Sequence, residues 1–221
     1  MKVCTDACIF GARIANIISN SKSQISNCLD IGTGTGLLSL MIAQKTRVVI
    51  DAIEIEEDAF DQAKENFSNS PWSQRLQTLH TDVKHFSSPV KYDFIISNPP
   101  FYQNDLVSPL KTKNVAKHNT GLNVDELIGV IKNLLNKSGS FALLLPYHRI
   151  AYFEKLANEN YFFLNEKLLI KPTRKHDYIR GFLLFNQTNK TAVIKELIIK
   201  NEDGNYTDDF IQLMSDYYLA L

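Results

Sequence analysis

Asn98-Pro99-Pro100-Phe101 directly follow the apolar run Tyr92-Asp93-Phe94-Ile95-Ile96-Ser97, and their types suit one kind of chemistry. Neither proline donates a backbone N–H and each ring fixes φ, so a strand that reaches Asn98 must stop. Pro100 also biases Pro99 towards extended geometry. The product is a stiff platform holding an amide, a carbonyl and an aromatic ring at a strand end. The Asn98 amide oxygen and the Pro99 carbonyl suit the two N–H groups of a flat amine, and Phe101 suits stacking on its ring. A proline-stiffened turn over a buried Phe explains the same four residues equally well. The rest of the chain has to decide.

Gly32, Gly34 and Gly36 lie between the short run Cys28-Leu29-Asp30-Ile31 and the helix-forming stretch Leu37 to Ala43. Ligands of a parallel α/β sheet bind beyond the carboxyl ends of its strands, where such a loop would sit. The spacing is Gly-x-Gly-x-Gly with Leu at 37, which misses the dinucleotide fingerprint and disfavours a pyrophosphate. Glu54 ends a second β-branched run, about 20 residues past the glycines, where an acid accepts ribose hydroxyls. It could equally cap the acidic start of the next helix, Glu56-Glu57-Asp58. Asp82, beyond a third strand, suits an adenine amino group, although strands often end in Asp. Asp30 suits an ammonium, or the ordering of the loop. Adenosine plus an ammonium without a pyrophosphate cradle describes S-adenosylmethionine.

These positions need strands and helices in alternation to hold them. The patterning predicts a helix over about 5–20, strands ending at Ile31, Ile55, Leu79 and Ser97, and helices over 37–43, 56–67, 124–135 and 150–159. A buried strand is expected over Phe141–Leu145. Three strands follow without an intervening helix, over Phe162–Lys171, Ile179–Asn186 and Ala192–Lys200, and then an amphipathic helix from Asp209 to Leu221. Alternation implies a mostly parallel sheet with helices on both faces, and the strand-rich tail implies an antiparallel hairpin on one edge. The polar, basic stretch at about 102–122 is longer than most loops in a compact domain, a length usually tied to function.

The chain has 221 residues, enough for one α/β domain over 1–221. Lys+Arg and Asp+Glu both number 24, so any nucleic-acid surface must be local. No apolar run reaches bilayer length, so no membrane span is expected. Asp6 lies where a signal peptide would carry its apolar core, so a cytoplasmic protein is expected. The three cysteines, Cys4, Cys8 and Cys28, lack the paired spacing of a zinc site, so no metal is expected.

Together these residues resemble the class I S-adenosylmethionine-dependent methyltransferases. Leu29 to Gly36 looks like their first motif, and Asn98-Pro99-Pro100-Phe101 is similar to the (Asn/Asp)-Pro-Pro-(Tyr/Phe) motif of amino-group N-methyltransferases. Three further stretches resemble the bacterial tRNA1(Val) adenine-N6-methyltransferase family. They are Lys2-Val3-Cys4-Thr5-Asp6-Ala7, Ser70-Pro71-Trp72-Ser73-Gln74-Arg75-Leu76, and Asp203-Gly204-Asn205-Tyr206-Thr207 with Tyr217-Tyr218-Leu219. Cys4 and Ala7 depart from that family, which often has glycine at both places.

The resemblance implies a Rossmann-like, mostly parallel seven-strand sheet whose last two strands form the antiparallel hairpin. It implies methyl transfer to N6 of an adenine in tRNA, with valine tRNA next to the anticodon as the expected target, by a monomer. Asn98, Pro99, Pro100 and Phe101 would be catalytic. Lys2, Thr5, Asp6, Asp30, Gly32, Gly34, Gly36, Glu54, Ile55, Asp82, Val83 and Asn98 would hold the cofactor. Phe101, Tyr102, Lys111, Lys113, Lys117, His118, Arg174, Lys175, Tyr178 and Arg180 would meet RNA; solvated surface charge is the plainer account of any single lysine. Rival readings are a protein glutamine N5-methyltransferase, a DNA or rRNA amino-methyltransferase, and a catalytically silent cofactor-binding, RNA-interacting module. A nicotinamide dehydrogenase is disfavoured by the glycine spacing.

Overall fold

The computed structural model describes residues 4–21, 24–99 and 122–220. In chain order, α1 (Thr5–Ser19), β1 (Asn27–Ile31), α2 (Leu37–Lys45), β2 (Val49–Glu54), α3 (Glu57–Ser68) and β3 (Leu76–His80) come first. They are followed by β4 (Tyr92–Ser97), α4 (Val124–Leu134), β5 (Leu135–Pro146), α5 (Ile150–Glu159), β6 (Phe163–Lys171), β7 (Arg180–Asn186), β8 (Val193–Ile198) and α6 (Asp208–Met214).

The strands form one sheet in the order β3-β2-β1-β4-β5-β7-β6-β8. β1 to β5 pair in parallel. β7 lies antiparallel between β5 and β6, and β8 pairs in parallel with β6. The sheet therefore has eight strands, as many as the patterning predicts and one more than the resemblance implies. The expected hairpin is β6–β7, not the last two strands. β8, expected over Ala192–Lys200, is the strand beyond those seven, a solvent-edge strand whose first four residues are exposed.

Side chains alternate across the sheet and build two apolar layers. Cys28, Ile50, Phe94, Ile96 and Leu144 pack towards α1, α2 and α6. Leu29, Ile95, Phe141 and Leu143 pack towards α4 and α5. Phe141 is central to the second layer, with ring centroids 5.0 Å from both Phe162 and Phe185. Each such fully buried ring is worth about 1.5–3 kcal/mol of transfer free energy.

Two long-range side-chain clamps tie helices to the rest of the fold. Arg13 of α1 makes a two-pronged ion pair with Glu166 of β6, at 2.7 and 2.6 Å. Arg75 donates to the carbonyls of Ala43, Thr46 and Val48 at 3.0–3.1 Å, closing the carboxyl end of α2. The Ser70–Leu76 stretch thus has a structural task. The last helix is shorter than expected. After Met214 the chain turns back onto α2, where Gln44 donates to the Asp216 carbonyl at 2.6 Å and the Tyr217 hydroxyl to that of Met41 at 3.1 Å.

Candidate active site at the carboxyl edge

Register brings the sequence-predicted residues into line. Ile31 of β1 is paired with Ile53 of β2 on one side and Ser97 of β4 on the other. The next residue of each strand is Gly32, Glu54 and Asn98, so all three leave the sheet at the same level. Neighbouring strands are about 4.8 Å apart, which sets Glu54 and Asn98 about 10 Å apart across the glycine loop. The Ser97 hydroxyl donates to the Ile31 carbonyl at 2.8 Å and ties β4 to β1 just before the platform begins.

The loop is held from below by β2. Gly32 and Thr33 N–H both donate to the Ile53 carbonyl, at 2.9 and 3.0 Å. Gly32, Gly34 and Gly36 have φ of 71°, 60° and 83°, the left-handed region that glycine alone enters cheaply. Gly36 is also hemmed in, because a Cβ there would lie 2.4 Å from Phe67 Cε1. Gly32 differs. A Cβ on it meets nothing within 4 Å, so its backbone faces open space.

Glu54 is 7% exposed and its carboxylate is already engaged. Oε2 accepts from Gly34 N–H at 2.8 Å, and Oε1 accepts from Ile55 and Glu56 N–H at 2.9 and 3.0 Å. With roughly four lone-pair sites on a carboxylate, about one remains for a ligand hydroxyl. Ile55, the next residue, is 47% exposed, an apolar surface beside the acid. Asp82 caps a short turn, accepting from Lys84 N–H at 2.9 Å, and Val83 is buried behind it.

Asp30 is fully buried at the base of the loop. Its Oδ2 accepts from the Thr33 and Ser39 hydroxyls at 2.7 and 2.8 Å, while Oδ1 has no partner among the described residues. Burial pushes its pKa up to about 6, opposed by the two hydroxyls and assisted by nearby Glu54. Sequence reasoning missed Ser39; its signal was a lone polar residue in the apolar run Leu37–Ala43.

Asn98 and Pro99 are half-buried, and no side-chain hydrogen bond holds the Asn98 amide among the described residues. Asp6, in the first turn of α1, joins Arg180 at 2.8 Å, and Thr5 opens the same helix. Arg180 therefore makes an internal ion pair through its Nε. Tyr178 donates its hydroxyl to Glu196 at 2.6 Å, Lys175 lies 3.8 Å from Glu202, and Arg174 is exposed. Lys2, Pro100, Phe101, Tyr102, Lys111, Lys113, Lys117 and His118, with nearly all of the expected 102–122 loop, lie outside the described residues. Among the described residues there is no His/Cys/Asp/Glu group able to hold a metal, and no helix long and apolar enough to cross a membrane.

Residues 11–157 match the methyltransferase small domain. A tRNA1(Val) (adenine(37)-N6)-methyltransferase of Pseudoalteromonas translucida is 36% identical over 222 residues, covering 100% of this chain and 93% of the relative. The protein of the same name in Dyadobacter fermentans is 39% identical over 224 residues, covering 99% and 91%. Among solved structures, a predicted O-methyltransferase from Agrobacterium tumefaciens superposes with a TM-score of 0.70 at 15% identity, covering 96% of both chains. A TehB-like SAM-dependent methyltransferase from Corynebacterium glutamicum gives 0.57 at 15% identity, covering 81% of this chain and 88% of that one.

Proposed function

This chain belongs to the methyltransferase small domain family and to the tRNA1(Val) (adenine(37)-N6)-methyltransferases, and from that premise we propose that it methylates N6 of adenine 37 in valine tRNA. It is an S-adenosylmethionine-dependent enzyme, and we read its 221 residues as one methyltransferase domain working in the cytoplasm. The observation that carries the amine chemistry is the uncommitted Asn98 amide, one strand away from a glycine loop that opens onto space.

The residues fit the cofactor. Gly32 leaves room for a ligand against the backbone, Glu54 has acceptor capacity for a ribose hydroxyl, and Ile55 offers an apolar face to adenine. Asp82 and Val83 would border that adenine. Asp30, short of a donor at Oδ1, would favour the ammonium side. When bound, S-adenosylmethionine supplies an electrophilic methyl group on a sulfonium.

The chain's own work is positioning. The Asn98 amide oxygen and the Pro99 carbonyl accept the two N–H groups of the target amine. That pairing favours a tetrahedral nitrogen and turns its lone pair towards the glycine loop. Orientation of this kind supplies several kcal/mol of the barrier reduction. The methylated nitrogen is acidic enough to lose its proton to water, so no strong general base is needed.

Transfer of labelled methyl to total tRNA, followed by nuclease digestion, should place the label on N6-methyladenosine. Label on a protein glutamine, or on no adenosine, would overturn the reading.

A further inference from the structure

Tyr147 and Tyr178 form an ordered aromatic pair on the same edge as the amine platform. Pro146 and Arg180 are partners across β5 and β7, and Arg180 and Ile170 across β7 and β6. Tyr147, Ile179 and Lys171 therefore emerge together at the carboxyl end. Leu143 of β5 is opposite Ser97, which puts Asn98 level with Leu144, so Tyr147 lies three residues further out than Asn98, about 10 Å at the rise of a strand, and one strand over.

The pair is braced on several sides. Its ring centroids are 5.2 Å apart and tilted by 41°. Tyr147 N–H donates to the Ile179 carbonyl at 3.1 Å. The Tyr178 hydroxyl and the Lys171 ammonium share Glu196, and Lys171 lies 5.0 Å from the centre of the Tyr178 ring. Yet Tyr147 remains 45% exposed, and exposed Arg174 is in the β6–β7 loop that also carries Tyr178. The β6–β7 ladder already holds that hairpin. An exposed ring kept rigid at a catalytic edge suits stacking on an unpaired base, which needs a π-face and little ordering entropy.

We propose that the Tyr147–Tyr178 pair is a stacking platform for a base flanking the target adenine, with Arg174 taking a backbone phosphate. The inference rests on the tRNA reading above.

The test uses the full chain and a synthetic anticodon stem-loop containing the target adenine, with and without an abasic nucleotide at each flanking position. Tyr147→Ala should raise the RNA KM about tenfold, as the loss of one stacked base does, while S-adenosylhomocysteine affinity stays within twofold. Tyr147→Phe should recover most of the loss. At one flanking position the abasic RNA should remove the difference between wild type and Tyr147→Ala, because the variant has already lost that contact. If Tyr147→Ala melts far below wild type, Tyr147→Leu, which keeps apolar bulk without a π-face, carries the same expectation. Wild type that methylates no RNA adenine would overturn the tRNA reading. Wild type that methylates it, with an unchanged KM in the variant or additive losses at every position, would overturn this inference alone.

Discussion

Glu54 Oε2 accepts the Gly34 N–H at 2.8 Å, fastening the end of β2 to the middle of the glycine loop. The other oxygen takes the N–H groups that open the next helix. One buried carboxylate thus shapes the loop and starts a helix, and in the proposed reading it also meets the cofactor. Glu54→Gln replaces an acceptor with an NH2 group amid backbone donors. Leaving a buried donor unpaired costs about 1–3 kcal/mol. We expect that loss in a urea melt, and S-adenosylhomocysteine binding weakened at least tenfold by calorimetry. Unchanged binding would remove Glu54 from the cofactor site.

Gly36 and Gly32 share a left-handed backbone but differ in their surroundings, so the same substitution should separate stability from binding. Gly36→Ala meets Phe67 at 2.4 Å as well as an unfavourable φ of 83°. Strain of about 1–2 kcal/mol plus overpacking of about 1–3 kcal/mol predicts a strongly destabilised protein. Gly32→Ala has only the backbone strain, because its Cβ meets nothing within 4 Å. It should be destabilised by no more than that strain, about 1–2 kcal/mol, and lose cofactor affinity. Normal affinity in folded Gly32→Ala would show that the cofactor does not approach this backbone.

The glycine loop was legible because its conformation restricts the choice of residue, and the end of β4 at Ser97 because two prolines follow Asn98. The α5 helix also follows local periodicity to its ends. Other features depend on partners far away in the chain. Between the expected helix over 124–135 and the expected strand over Phe141–Leu145, Ser138-Gly139 reads as a turn, yet β5 runs through it, with Asn136 donating to Asp93 at 2.9 Å across a register shift in the β4 pairing. Arg180 reads as a surface cation until Asp6, 174 residues away, claims it. The insertion of β7 between β5 and β6, and the edge position of β8, are choices of pairing that short-range patterns do not encode.

Asp30 predicts a pH signature. Its ordinary value near 3.8 rises to about 6 in the fold, chiefly through burial. Between those values the folded chain keeps a proton that the unfolded chain has released. The stability from protonated Asp30 is therefore fully present below about pH 4 and lost as pH rises through about 6. The shift corresponds to about 3 kcal/mol. Asp30→Asn cannot titrate, so its stability relative to wild type should improve by about that amount between pH 4 and pH 7 in urea melts. Parallel curves for the two proteins would show that Asp30 has an ordinary pKa.

Asn98 allows the sharpest separation of chemistry from binding. It leaves β4 level with Gly32 and Glu54, but its amide has no partner among the described residues that the fold needs. Asn98→Ala should therefore fold normally and bind S-adenosylhomocysteine within about threefold of wild type. Losing one placed hydrogen-bonding group at a reacting centre typically lowers turnover about 100- to 1,000-fold, and single-turnover methyl transfer should show a drop of that size. Asn98→Asp keeps an acceptor at the same point and should retain more activity than the alanine variant. A parallel loss of cofactor affinity and turnover in Asn98→Ala would instead make the amide a structural element of the strand end. Its rate deficit would then say nothing about how the amine is held.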